Sequence, residues 1–470
     1  MQDPSNDLLT STFTMLKTND LDPPISEPKP LETKDPSKEI YIPHKILKFA
    51  DQTMDSPEFS HHKRHVFIYT PAGKPIYSRF GEEIKLSSIF ASLSAIIRKF
   101  SMFFTSEAKV SQMNVIVKND CKIVLLFREN LCYICVTKNV SDSTHLLQNM
   151  LDFLNIQIIS MITNVVNKQL TSKENYDPRM LLGGTNVSIG NCIKNGLNSP
   201  GIFLNSYMAL PMSSSHRNAI QTVIKDNRHP DILYSILLTP INVIYMQKSK
   251  DIQFHPQDIL LILNLLQSSA SLRSSENWIP ICLPGISPDG FIYAYIYFFN
   301  KNVGIIMITN EISNEMFHNC SQLGKNINRA LSEFKLFDII EQNLQNLPYS
   351  IDVFNSKKIK HILIHNINNK QFTMPKFNIY GQTPKEAKAY VRKFHGLFLE
   401  YLKYGRTKKD FRYLMKGTEE MICLFVYQEF CVMFACSPFL EINEVHNIEN
   451  SITKWLKAEE SHYFLKIVEK

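Results

Sequence analysis

Residues 64–138 read RHVFIYTPAGKPIYSRFGEEIKLSSIFASLSAIIRKFSMFFTSEAKVSQMNVIVKNDCKIVLLFRENLCYICVTK. Arg64–Tyr69 is apolar and β-rich, Pro71-Ala72-Gly73-Lys74 has turn chemistry, and Pro75–Phe80 reads as a second short strand. Leu86, Ile89, Phe90, Leu93, Ile96, Ile97 and Phe100 then recur at spacings of three and four, which is one apolar stripe on a helix. Three strand-like runs follow, Val110–Lys118, Cys121–Arg128 and Leu131–Lys138. Asn119-Asp120 and Glu129-Asn130 between them suit tight turns. A long helix from about Ser143 to Leu170 closes a ββ-α-βββ-α unit.

The same order recurs twice. In the second copy Pro230–Leu238 and Val243–Gln247 are strands, and Pro256 opens an apolar helix reaching Leu272. Trp278–Leu283, Phe291–Phe299 and Val303–Thr309 are strands, and one helix runs from about Glu311 to Phe337. In the third copy Lys360–His365 and Gln371–Phe377 precede a helix with Thr383 as N-cap and Pro384 in its first turn. Phe411–Met415, Met421–Tyr427 and Phe430–Cys436 are strands, and Ile442–Lys457 is the last helix. The simplest closure is an α+β fold: three tandem five-stranded antiparallel sheets with helices on their faces.

A length of 470 residues suits about three domains. Residues 1–60 hold eleven acidic and six basic side chains among several prolines and read as a disordered acidic tail. The domains are expected at 61–172, 205–340 and 341–470, with the Asn- and Gly-rich stretch 173–204 as a linker loop. Nine Cys at irregular spacing fit a reducing compartment. No secretory signal and no run of about 20 apolar residues is visible, so a cytoplasmic protein with peripheral membrane contact is expected. A net charge of +7 is too small for a dedicated nucleic-acid binder.

Catalytic signatures are absent. There is no GxxxxGK[ST], no GxGxxG after a strand, no GxSxG and no HExxH. Gly183-Gly184 reads as a loop. Cys132 and Cys135 form a CxxC, but three residues apart on a strand they face opposite ways and share no metal or disulfide. His61, His62 and His65 have no ligand partners at matching spacing and read as solvated. No covalent chemistry, cofactor or metal is expected.

Two surfaces stand out. The stripe Leu86, Ile89, Phe90, Leu93, Ile96, Ile97 and Phe100, with Met102, Phe103 and Phe104 beyond it, is wider than one sheet buries, and a partner surface is expected there. Between Lys376 and Lys416 eleven Lys/Arg stand against three acids. Lys385, Lys388, Arg392, Lys393, Arg406, Lys408 and Lys409 suit an anionic lipid surface or a solvated face, and few aromatics are placed to stack bases.

Three segments carry a resemblance. His65–Gly81 with its Gly73-Lys74-Pro75-Ile76-Tyr77 core, Leu210–Arg217, and His255–Asp258 with Ser274–Pro284 resemble the SAND, or Mon-one, family of vacuolar fusion proteins. The resemblance runs from about residue 64 to the end and includes Trp455–Glu460. It implies three tandem longin domains, the ββ-α-βββ-α unit. It implies an obligate heterodimer with a Ccz-one-type longin protein, acting as guanine nucleotide exchange factor for the late-endosomal Rab of the Rab-seven type. The partner and Rab surface would lie on the first domain, and phosphoinositide membrane would meet the third, on late endosomes and vacuoles. A longin scaffold or tether without exchange activity is the other reading.

Overall fold

The computed structural model describes residues 46–103, 115–128, 131–172, 182–354, 356, 358–377, 383–405, 410–427 and 429–469. These fall into two compact units, the second beginning at Asn198.

The first unit opens with a short helix α1 (Pro57–His61), then strands β1 (Arg64–Tyr69) and β2 (Pro75–Ser78) and helix α2 (Ser87–Phe103). Strands β3 (Val115–Lys118), β4 (Cys121–Arg128) and β5 (Leu131–Thr137) follow, then helix α3 (Thr144–Ser172) and helix α4 (Asn186–Asn198). The sheet order is β2-β1-β5-β4-β3, with every neighbour antiparallel. Central β5 is buried at all seven positions because a helix covers each face. Cys132 and Ile134 pack in the cluster formed with α2. Tyr133 faces α3 and donates to Asn155 Oδ1 at 3.1 Å. Cys132 and Cys135 thus stand on opposite faces, as the period of two requires.

Two expectations at the edges of this domain are corrected. The expected disordered tail extends to 60, yet residues 46–60 are folded onto the sheet. Phe59 lies in the core, Lys48 pairs with Glu83 at 2.6 Å, and Gln52 bonds His62 at 2.7 Å. Residues 1–45 lie outside the described residues. The expected linker loop 173–204 holds α4 and α5 (Pro200–Leu204), with 173–181 outside the described residues. Ile189, Cys192, Ile193 and Leu197 bury one face of α4, and Cys192 Sγ donates to Gln157 Oε1 of α3 at 3.3 Å. At Gly196 a Cβ would sit 2.6 Å from Met150 Cγ, so only glycine lets the two helices approach this closely. The stretch Thr144–Lys168 of α3 is long and apolar enough to cross a membrane by length and composition. Its residues Leu147, Met150, Leu151 and Leu154 are fully buried, as in a core helix.

The second unit holds the other two sheets. Helix α6 (Ser214–Asp226) precedes β6 (Ile232–Leu238), β7 (Val243–Lys248) and α7 (Pro256–Ser268). Then come β8 (Asn277–Ile281), β9 (Ile292–Phe298), β10 (Gly304–Thr309), α8 (Asn314–Glu333) and α9 (Leu336–Gln345). The single helix expected from Glu311 to Phe337 is two, broken where Lys335 takes a left-handed conformation at φ 52°. The third sheet is built from β11 (Ile359–Asn366), β12 (Gln371–Thr373), helix α10 (Pro384–Gly405), β13 (Phe411–Lys416), β14 (Met421–Val426) and β15 (Phe430–Cys436). Helix α11 (Ile442–Tyr463) and a last strand β16 (Val468–Glu469) end the chain. The orders are β16-β7-β6-β10-β9-β8 and β12-β11-β15-β14-β13. Each repeats the first sheet's pattern. The middle sheet gains a sixth strand, because β16 adds in parallel to β7.

The resemblance segments His255–Asp258 and Ser274–Pro284 meet in the middle domain. Asp258, in the first turn of α7, is buried and accepts the Gly285 N–H at 3.1 Å. A Cβ at Gly285 would lie 2.5 Å from His255 Cβ. Burial raises the Asp258 pKa from its ordinary 3.8 to about 6. The folded state therefore keeps a proton that the unfolded chain releases between those two values. The charged carboxylate costs stability above pH 6, and the cost disappears as pH falls toward 3.8. Its ceiling is about 3 kcal/mol. The stability difference between wild type and Asp258→Asn should shift toward wild type as pH falls from 7.5 to 5, by urea denaturation. An unchanged difference would contradict this account.

Candidate functional site

Among the described residues no three His, Cys, Asp or Glu side chains group to hold a metal ion. His62 stacks on Phe80 with ring centroids 3.5 Å apart, and His65 is buried beneath it, so neither is the solvated histidine expected. Burial pushes His62 down to about 4 and His65 to about 3. The described chain offers surfaces, and the two singled out in the sequence fare differently.

On α2, Leu86, Ile89, Phe90 and Leu93 are core residues. They pack against Phe67, Tyr69, Leu125 and Ile134, and Phe90 meets the Phe67 ring edge-on at 5.5 Å. Their expected place in a partner surface is therefore corrected: the sheet already covers this stripe. Ile96 is half-buried, and the side chains of Ile97 and Phe100 lie outside the described residues. The outward face is instead Ser87, Ser88, Ala91, Ala95 and Lys99. The spacing held that information, since these positions fall between the apolar ones. A face of serine and alanine lets another backbone approach closely, where bulky side chains would hold it off.

On α10 the basic residues do present a face. Lys385, Lys388 and Lys393 are exposed, while Phe394, His395, Phe398 and Leu399 turn inward. Spacings of three and four align Lys385, Lys388 and Arg392 along the helix. Arg392 is half-buried and donates to Asn198 Oδ1 at 3.2 Å. Thr383 caps the helix: Glu386 N–H reaches Thr383 Oγ1 at 3.3 Å and Thr383 N–H reaches the Glu386 carboxylate at 2.8 Å. The Thr383 N–H and the Thr383 hydroxyl, at 2.9 Å, both donate to the Glu386 carboxylate and hold its carboxyl below the usual range. Arg406, Lys408 and Lys409 lie outside the described residues.

The charge excess in the sequence is partly spent inside the fold. Arg412 on β13 pairs with Glu449 of α11 at 2.9 Å, and Glu449 also receives the Tyr427 hydroxyl at 2.6 Å. The acid that matches Arg412 is remote in sequence and buried, so no local count could find it. Among the described residues, the α10 face is where exposed basic side chains line up.

The comparisons with known proteins agree with the architecture. Residues 64–191 match the family model described as the first longin domain of FUZ, MON1 and HPS1. Residues 230–329 match the second longin domain of the same proteins. The chain is similar to Protein SAND of Takifugu rubripes, 26% identical over 416 residues, covering 88% of this chain and 78% of that protein. It is 26% identical over 420 residues to vacuolar fusion protein MON1 homolog A of Gallus gallus, covering 88% and 74%. It is 27% identical over 314 residues to the MON1 homolog of Arabidopsis thaliana, covering 67% and 50%.

Proposed function

This chain belongs to the SAND/MON1 family of longin-domain proteins, and on that premise we propose that it is one subunit of a two-chain guanine nucleotide exchange factor. The observation that carries the reading is alignment over 88% of the chain with proteins named for vacuolar fusion. Its partner would be a second longin protein of the Ccz-one type, and its substrate a late-endosomal Rab of the Rab-seven type. The reaction needs no acid, base or nucleophile from this chain. It needs a surface that binds the Rab better with its switch I displaced than with nucleotide held. Displacing that loop weakens the magnesium and phosphate contacts, and GDP leaves. Such a mechanism draws on rigid surfaces, and three helix-covered sheets supply them.

The outward Ser88, Ala91 and Ala95 face of α2 is our choice for the partner or Rab contact. The α10 face would hold the complex against anionic lipid on late endosomes and vacuoles as a peripheral protein. The direct test is release of a fluorescent GDP analogue from the Rab by the co-purified pair. Rab binding without faster release would make the chain a tether.

The lipid part has its own test. Changing Lys385, Lys388, Arg392 and Lys393 to Glu should weaken co-sedimentation with phosphoinositide-containing vesicles by at least about a hundredfold. Exchange measured in solution should stay unchanged. Undiminished vesicle binding would remove the lipid role.

A further inference from the structure

The segment Leu210–Arg217, part of the family resemblance, meets the end of the chain at one place. Residues 206–212 run between the edges of the second and third sheets. Tyr207 bridges Gln371 of β12 in parallel, and Ala209 bridges Val243 of β7 in parallel. Phe372 N–H reaches the Tyr207 carbonyl at 3.1 Å, and Leu210 N–H reaches the Val243 carbonyl at 2.8 Å. One short segment therefore supplies edge pairing to both sheets.

The chain end crosses in the other direction. After α11, Phe464 and Leu465 are buried, and β16 pairs with Gln247 and Lys248 of β7. The buried Gln371 side chain from β12 serves Leu465 as a strand neighbour would. Its Oε1 accepts the Leu465 N–H at 2.9 Å, and its Nε2 donates to the Leu465 carbonyl at 2.8 Å. Arg217 closes the joint. Its guanidinium donates to the carbonyls of Leu210 at 2.7 Å, His462 at 2.9 Å and Ile244 at 3.3 Å. Those carbonyls belong to the connecting segment, the end of α11 and β7. No carboxylate answers Arg217 in these bonds, so the residue serves as a backbone clasp.

We propose that residues Phe464–Glu469 are a strap that locks the second and third domains into one rigid recognition body, with Gln371 and Arg217 as its clasps. Tandem domains ordinarily meet across modest polar interfaces and move relative to each other. Here separation would strand buried backbone and amide groups without partners, which is costly. The consequence is a fixed spacing between the α10 face and every surface of the second domain. A partner or membrane-bound assembly spanning both then meets a preorganised surface.

The test uses the full chain and a version ending at Leu465, which lacks β16. In the full chain the second and third domains should unfold in one calorimetric transition. In the shortened chain that transition should split in two. Thermolysin should also cut the connecting stretch between Gln345 and Lys358 on the order of tenfold faster. A single transition with unchanged cleavage would overturn the strap. Should the shortened chain not fold, Gln371→Ala and Arg217→Lys decide, since each loosens one clasp and leaves the backbone pairings. A split transition in either supports the lock, and an unsplit transition in both refutes it.

Discussion

Phe90→Ala should cost the first domain about 3–5 kcal/mol, the range for emptying a fully buried aromatic position. Phe90 has no exposed surface and contacts the Phe67 and Tyr69 rings at 5.5 and 6.0 Å. Its loss leaves a void between helix and sheet that neither can fill. On the same helix, Ser88→Arg points outward and should change stability by less than about 0.5 kcal/mol. It should nevertheless reduce association with the proposed longin partner or the proposed Rab substrate. Thermal melting combined with a pull-down separates the two effects. A mild Phe90→Ala, or a Ser88→Arg that unfolds the domain, would mean that the helix is oriented otherwise.

Acid should unfold the third domain well before the carboxylates titrate. His361 and His395 are fully buried, and neither ring has a hydrogen-bond partner among the described residues. Burial lowers both from 6.5 to about 3. His365, bonded to Ser206 Oγ at 2.9 Å, falls to about 4 for the same reason. A folded-state pKa below the unfolded one means that the native protein binds fewer protons. Stability is therefore intact above pH 6.5 and is lost as pH falls from 6.5 toward 4 and 3. By pH 5 each ring costs about 2 kcal/mol, a large part of a domain's margin. Melting curves at pH 7.5 and 5 should differ strongly, and His361→Phe should reduce the difference. A melting temperature flat across that range would contradict the buried, neutral assignment.

The repeated ββ-α-βββ-α order was legible because strands of period two and helices of period 3.6 leave different marks. Leu131–Lys138 and Met421–Tyr427 read as strands, and the strands run over Leu131–Thr137 and Met421–Val426. Thr383-Pro384 announced its helix, and the hydrogen bonds of Glu386 confirm the cap. Helix α4 escaped notice because its Asn and Gly residues lower its helix propensity. Its apolar stripe at Ile189, Cys192, Ile193 and Leu197 was the available signal. The left-handed Lys335 that splits α8 from α9 has no sequence mark, since that conformation is ordinarily glycine's. The first half of the partner stripe on α2, Leu86 to Leu93, was misassigned for a different reason. Hydrophobicity reports burial, and at Leu86–Leu93 the burial is within the domain itself. The basic run told half its story, because the acid that answers Arg412 comes from α11, 37 residues further along the chain.

The measurement that bears most directly on the proposed function is release of a fluorescent GDP analogue from a late-endosomal Rab, with this chain co-purified with the proposed longin partner. The account predicts fast release by the pair and background release by either chain alone. Tight Rab binding by the pair with no acceleration would contradict it.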